Sequence, residues 1–468
     1  MYIGGEWVAG ADAFVVRNKF SGETIAEAAA ADEDQTRDAV AAARRAFEEG
    51  PLPPYRRYEV LSEAKRLIAA RRDEIVATMV AETGFTVADC AGDVDRCMQT
   101  LEVSAEEAKR ITGEIVPIDG APGQEGRLAF TLRVPLGVVC AITPFNSPLN
   151  TVAHKVAPAL AAGNTVVLKP ATYTPLSAAK LCEALTDAGL PAGHLNLING
   201  SGAKVGQWLL ENKDVRYYTF TGSTEVGEAI QQGAGLRRTQ LELGNISATI
   251  VCADADLDDA VRKCTSTAFR KAGQVCTSLQ RLYIERPVYD RVAEALAQAA
   301  GGLKVGDPRD PDVDIGPMID VAEAARATRW VDEAVAGGAR IAVGGERNGA
   351  LIQPTVLADV TPDMRVVTEE IFAPTVSLIP VDGLDDAISA VNATPYGLSC
   401  GIFTSNLEVA LTAARRIEVG TFNINQTSSA RVDLMPYGGV KASGFGREGP
   451  RYAIRDLTEE RLVTITVG

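Results

Sequence analysis

Along the first hundred positions apolar residues recur at helical spacing. Val60, Ala64, Leu67 and Ile68 fall on one face, and Ile75 and Met79 continue it a turn or two later. This pattern predicts helices following a short β start. From residue 136 the period changes. An apolar run at 138–143 stops at Pro144, a second at 165–169 (TVVLK) stops at Pro170, and 195–198 and 217–221 read as further short strands. Helical stretches at about 175–188, 203–212 and 224–233 separate them. Such alternation predicts a parallel sheet with helices on both faces. Its ligand crevice is expected at the carboxyl ends of the strands.

A second α/β series follows Glu242, with strands near 247–251, 281–284, 375–380 and 399–404 and helices near 256–271, 287–300 and 384–392. The break at 241–245 (LELGN) is the expected domain boundary. Two segments stand apart. Leu128, Phe130, Leu132 and Val134 alternate with more polar neighbours, and 461–467 (RLVTITV) is β-rich. An unpaired strand edge is a liability, so these segments are expected to pair with each other or with a second subunit.

Composition narrows the chemistry. A chain of 468 residues exceeds one core, so two or three domains are expected. A formal charge of −15 argues against nucleic acid as a partner, because phosphate binding needs a basic face. No run of about 18 apolar residues suggests a membrane span. Residues 1–10 (MYIGGEWVAG) lack the pattern of a secretory signal. The eight cysteines include no CxxC pair, which fits neither a disulfide scaffold nor a zinc site, so no metal is expected. A reducing, cytoplasmic location follows as the expectation. With only two histidines, His154 and His194, neither in a HExxH setting, acid–base work is expected to fall to a carboxylate.

Cys276, in FRKAGQVCTS, has the type of side chain that oxidises an aldehyde: a thiolate forms a thiohemiacetal, and the thioester that follows is readily hydrolysed. Glu242, between leucines at a strand end, would act as general base on water if burial raises its pKa. Asn146, in TPFNSP, can donate its amide to an oxyanion together with the N–H of Cys276. Taken singly, the same residues also read as a core cysteine, a surface glutamate and a turn asparagine. No GxGxxG is present; Gly200, Gly202 and Gly206 carry one residue too many. FTGSTEVG at 220–227 follows a strand and opens a helix whose N–H groups suit a pyrophosphate, and Lys169 ends another strand within reach of ribose or phosphate.

Seven segments in order, TPFNSP (143–148), KPATYTP (169–175), FTGSTEVG (220–227), LELG (241–244), GQVCT (273–277), EEIFAP (369–374) and MPYGGVKASGFGRE (435–448), resemble the aldehyde dehydrogenase superfamily. The resemblance spans essentially the whole chain. It implies an α/β fold with a Rossmann-like NAD(P)-binding domain (1–111 and 135–243), an α/β catalytic domain (244–449) and a β-strand oligomerisation arm (112–134 and 450–468). It further implies Cys276 as nucleophile, Glu242 as base and Asn146 as oxyanion donor. Cofactor contacts are implied for Thr143, Phe145, Lys169, Thr172, Gly222, Ser223, Glu370 and Phe372. A small aldehyde substrate and a homodimer or homotetramer complete the expectation.

Three positions depart from the family pattern. Where members that prefer NAD carry a glutamate on the ribose hydroxyls, this chain has Thr172, so NADP is expected to be favoured, with dual use of NAD as the alternative. Asn245 replaces a glycine, and tolerance of unusual backbone angles is the expected reason it is accepted. Phe145 replaces a tryptophan. The chain is nearest to the succinate-semialdehyde, lactaldehyde and non-phosphorylating glyceraldehyde-3-phosphate branches. Arg270, six residues before Cys276, matches an arginine that holds a substrate carboxylate, and His154 and Arg110 match positions facing the same anion. An anionic aldehyde resembling succinate semialdehyde is therefore expected, and a neutral hydroxyaldehyde such as lactaldehyde is the alternative. A CoA-acylating enzyme or a non-catalytic dinucleotide-binding member would generally lack the base or the nucleophile; both Glu242 and Cys276 are present.

Overall fold

The computed structural model describes residues 1–466. Two largely parallel sheets organise it. In the first, the parallel strands lie in the order Leu195–Leu197, Thr165–Lys169, Val138–Ile142, Val215–Thr221 and Arg238–Glu242. Val138, Val139, Cys140 and Ala141 are all buried, as a strand covered on both faces requires. The chain steps outward from 138–142 to 195–197 and then returns to add 215–221 on the other side. That reversal between 138–142 and 215–221 is a topological switch point, where a crevice opens at the carboxyl ends. Tyr2–Ile3 and Glu6–Trp7 extend one edge antiparallel, and Gly444–Phe445 caps the other against Leu241 and Glu242.

The second sheet has the order Arg340–Val343, Thr355–Ala358, Thr375–Val381, Arg281–Glu285, Ala248–Val251, Ser399–Phe403 and Thr421–Ile424. The first sheet ends at Glu242 and the second begins at Ala248, so the 241–245 segment crosses between them. Helices Pro54–Ala70, Arg72–Thr83 and Val87–Ala108 pack Val60, Ala64, Ile68, Ile75 and Met79 into the core under the first sheet. The apolar stripe at 60–79 is broken at Arg71, which separates two helices. No helix among the described residues is long and apolar enough to cross a membrane.

The isolated strands pair with each other. Arg127–Pro135 runs antiparallel to Thr458–Thr466, from Thr458 opposite Pro135 to Thr466 opposite Arg127, and Ile115–Val116 adds a short third strand. Val467, the end of the expected terminal strand, and Gly468 lie outside the described residues. Helix Pro450–Asp456, expected with the arm, instead places Ala453, Ile454 and Leu457 in the core of the first sheet. The arm leaves Leu128, Leu132 and Ile465 exposed on one face and Leu462 on the other.

Buried Asn164 fastens this arm to the sheet. Its Oδ1 accepts from the backbone N–H of Leu136 at 2.7 Å and of Gly137 at 3.0 Å, and its Nδ2 donates to Leu457 O at 2.9 Å. Asn164→Ala strands these buried backbone groups, at roughly 1–3 kcal/mol for each one left unpaired. A fall of several degrees in melting temperature is expected by scanning calorimetry. An unchanged melting temperature would contradict the role.

Candidate active site

Cys276 follows a strained segment. Helix Leu257–Phe269 gives way to a tight turn in which Lys271 (φ 52°) and Ala272 (φ 52°) both adopt left-handed backbone. That conformation costs roughly 1–2 kcal/mol per non-glycine residue and persists only where surrounding contacts fix it. Lys271 provides some of them: its Nζ donates to Asn146 O at 2.9 Å and lies 3.4 Å from Asp93. Gly273, also left-handed at φ 69°, passes so close to the chain at 373 that a Cβ would lie 2.1 Å from Ala373 O. The turn therefore presents Cys276 in one place. Of the eight cysteines it alone is not fully buried.

A cavity of about 130 Å³ lies over the sulfur, lined by Asn146, Glu242, Cys276, Arg96, Arg270 and Arg431 among others. Asn146 Nδ2 donates one hydrogen to Gln274 O at 2.9 Å, which leaves its second hydrogen free. Burial, with the nearby Glu242 carboxylate, pushes the Cys276 thiol up to about 11, although Tyr437 Oη, 3.2 Å from Sγ, opposes the shift. Glu242 is buried, accepts from Gln240 Nε2 at 3.1 Å through Oε1, and has no partner for Oε2 among the described residues. Burial and the neighbouring Glu448 carboxylate raise its pKa well above the ordinary range.

Charges behind the cavity form a paired chain. Glu448 accepts from Lys155 Nζ at 3.1 Å and from Arg431 Nη2 at 2.9 Å. Burial alone would raise its pKa, but these two cations hold it at about 2. Arg431 Nη2 also lies 3.2 Å from His154 Nε2. Asp433 takes Arg96 at 2.7 Å, His154 Nε2 at 2.8 Å and Asn150 Nδ2 at 3.1 Å. Arg270 differs. It donates to Ser429 Oγ at 2.5 Å, and no carboxylate stands within ion-pair distance of it among the described residues.

The crevice at the switch point suits a dinucleotide. Lys169, buried at the end of its strand, bonds only Pro170 O at 3.1 Å among the described residues, and burial lowers its pKa to about 8. A buried cation without an acidic partner suits an anionic or hydroxyl-bearing ligand. Thr143 Oγ1 and Asn199 Oδ1 are likewise buried and unpartnered among the described residues. Ser223 caps helix Thr224–Ala234, and Gly222 precedes it where a Cβ would press into the Phe220 ring at 2.4 Å. Phe145 sets its ring edge-on to Phe372 and to Tyr173, each at 6.0 Å. Glu370 Oε1 accepts from Asn245 N at 3.0 Å, and burial raises its pKa to about 7. Thr172 is exposed and donates to Gly200 O at 3.2 Å.

A thiol, a buried carboxylate and an amide converge on one cavity beside such a crevice, and the family model described as "Aldehyde dehydrogenase family" matches residues 7–463. The chain belongs to the aldehyde dehydrogenase family. It is an NAD(P)-dependent oxidoreductase acting on small aldehydes. It is 50% identical to a 3-sulfolactaldehyde dehydrogenase of Priestia megaterium over 467 residues, covering 100% of this chain and 98% of that one. Aldehyde dehydrogenase 21 of Physcomitrella patens, solved with the reaction product succinate, superposes with a TM-score of 0.97 at 36% identity, covering 100% of this chain and 98% of that one. The NADP-dependent glyceraldehyde-3-phosphate dehydrogenase of Bacillus halodurans, solved with NADP, gives 0.97 at 36% identity, covering 100% and 99%.

Two expected substrate residues of this aldehyde dehydrogenase lie elsewhere. Arg110 is exposed, pairs with Glu106 at 3.3 Å and Glu107 at 3.2 Å, and faces a separate hollow beside Arg133, Arg451 and Arg455. His154 is buried behind the cavity wall and meets Asp433 and Arg431 rather than the cavity. Asn245 is accepted for a different reason than backbone tolerance. Its φ is not positive; its amide instead bonds Ser247 and, at 3.3 Å, the carbonyl of Cys276. Lys155, Glu448, Arg431, Arg96, Lys271 and Tyr437 were not expected at the site. Tyr437 and Glu448 lie within the motif at 435–448, which is the one signal that marks them.

Because the folded pKa of Glu448 is depressed, its contribution to stability is fully present above the ordinary carboxylate range. That contribution is lost as pH falls toward about 2. Glu448→Gln is therefore expected to lower the melting temperature at pH 6 and to flatten its decline below about pH 4.5. Parallel melting curves against pH for wild type and variant would contradict this.

Proposed function

We propose that this enzyme oxidises a small anionic aldehyde to its acid with NADP⁺, using Cys276 as nucleophile, Glu242 as general base and Asn146 as oxyanion donor. The observation that carries the anionic reading is Arg270, whose partly buried guanidinium borders the cavity over Cys276 without a carboxylate to neutralise it. A ligand anion fills that role and fixes the aldehyde carbon near the sulfur. Arg96 adds positive potential, although Asp433 already pairs with it. The named relatives lend support: their substrates or products carry a sulfonate, a carboxylate or a phosphate. The Physcomitrella product points to succinate semialdehyde, and the 50% relative points equally to a sulfonated hydroxyaldehyde.

The Cys276 thiol gives up its proton to solvent as it attacks, and Glu242, with a pKa raised by burial, is kept for the water of the later step. As Sγ bonds to the aldehyde carbon, the developing oxyanion meets the free hydrogen of Asn146 and the N–H of Cys276. Lys169, Gly222, Ser223, Glu370, Phe145, Phe372 and Thr143 would hold the cofactor, which when bound supplies the two-electron acceptor that turns the thiohemiacetal into a thioester. Glu242 then removes a proton from the water that attacks the thioester, and Cys276 leaves as thiolate. Thr172 supports NADP⁺ because a hydroxyl, unlike a carboxylate, does not repel a 2′-phosphate. Apolar side chains exposed on the arm support a homo-oligomer, and eight free cysteines suit a reducing cytoplasm.

The test is kcat/KM, with saturating NADP⁺, for succinate semialdehyde, 3-sulfolactaldehyde and butanal in wild type and Arg270→Met. At least one anion is expected to exceed butanal by about a hundredfold in wild type, a margin in the range of a charge-assisted contact, and to lose most of it in the variant. Equal values for anions and butanal would overturn the anionic reading.

A further inference from the structure

Tyr437 is 4% exposed, and its hydroxyl has one partner among the described residues, Cys276 Sγ at 3.2 Å. A buried tyrosine hydroxyl usually finds a good acceptor. A neutral thiol is a weak one, whereas a thiolate is strong, so this contact favours the ionised sulfur. The hydroxyl is held there by its backbone. Tyr437 N donates to Glu448 O at 3.1 Å and Glu448 N donates to Tyr437 O at 2.6 Å, a two-bond antiparallel bridge. Above the ring, the Arg431 guanidinium lies 3.7 Å from the centroid, and Glu448 fixes that guanidinium at 2.9 Å. A cation on the π face withdraws charge from the phenol and makes its O–H a better donor.

We propose that Tyr437 stabilises the Cys276 thiolate by donating a hydrogen bond to Sγ, and that Arg431, stacked on its ring, strengthens that donor. No proton changes hands in this contact; the thiol proton leaves to another base. The other ionisable groups that face the sulfur are Glu242 and Glu370, both anionic when charged and so opposed to the thiolate, and the cations Arg431 and Arg270. Tyr437 and the two guanidiniums are thus the counterweight to two carboxylates. As sulfur bonds to the aldehyde carbon it loses its charge, and the hydroxyl becomes free to follow the developing oxyanion.

The inference rests on Cys276 being the nucleophile, and the experiment separates the two. Cysteine peptides are quantified by mass spectrometry after timed alkylation with iodoacetamide at pH 7–8, in which the thiolate displaces iodide. Tyr437→Phe is expected to slow Cys276 about threefold: a tenfold smaller thiolate fraction, partly offset by higher intrinsic nucleophilicity. Replacing Tyr437 by 3-fluorotyrosine, which sharpens the donor and preserves the shape, is expected to speed alkylation. A Phe variant that reacts as fast as wild type, or a fluorinated enzyme that reacts no faster, would overturn the role of Tyr437. If Cys276 reacts no faster than the seven buried cysteines in wild type, the nucleophile assignment fails and takes this inference with it.

Discussion

Burying a carboxylate is expensive unless cations meet it, and Glu448 is met on both oxygens, by Lys155 and by Arg431. The three come from different parts of the chain: Lys155 from helix Asn150–Ala161, Arg431 from the loop after strand Thr421–Ile424, and Glu448 from the segment after Gly444–Phe445. Their pairing locks the first sheet's helix to the segment that follows the second sheet. The cavity walls are set by that lock. Arg431 in turn reaches His154 and covers Tyr437, and the negative charge of Glu448 helps keep Glu242 from ionising early. Removing Glu448 would leave two buried cations without their carboxylate, a loss of roughly 3–5 kcal/mol.

Cys276 is held in a similar way, by contacts that outweigh local strain. Left-handed backbone at Lys271 and Ala272 is unfavourable in isolation. Lys271 bonds Asn146 O, so the strained turn and the loop bearing the Asn146 amide position each other. Asn245 and Ser247, where the chain passes from one sheet to the other, hold the Cys276 carbonyl. Cys276, Glu242 and Asn146 thus sit on three segments that meet at the seam between the sheets.

Much of the fold was legible. The apolar runs at 138–143, 165–169 and 217–221 are strands buried on both faces, and such strands announce themselves as uninterrupted apolar runs bounded by prolines or turn residues. Helix Asn150–Ala161 was not: nearly every residue is buried and Pro158 lies inside it, so no amphipathic period exists to find. The proposed catalytic residues stand out in the sequence only through ordered motifs. Cys276, Glu242 and Asn146 are each unremarkable alone, and their convergence arises from sheet topology. Pairing among buried charges was illegible, because Lys155, Arg431 and Glu448 look like surface residues in sequence. Arg110 shows the converse error: matched by position, it turns to solvent, where Glu106 and Glu107 pair with it.

In the proposed mechanism Cys276 carries the acyl group and Glu242 releases it. Intact-protein and peptide mass spectrometry of Glu242→Gln, mixed with NADP⁺ and succinate semialdehyde or 3-sulfolactaldehyde, tests it most directly. An added acyl mass on the Cys276 peptide is expected, together with one equivalent of NADPH and little further turnover. Full turnover by the variant, or an acyl mass on any other residue, would contradict it.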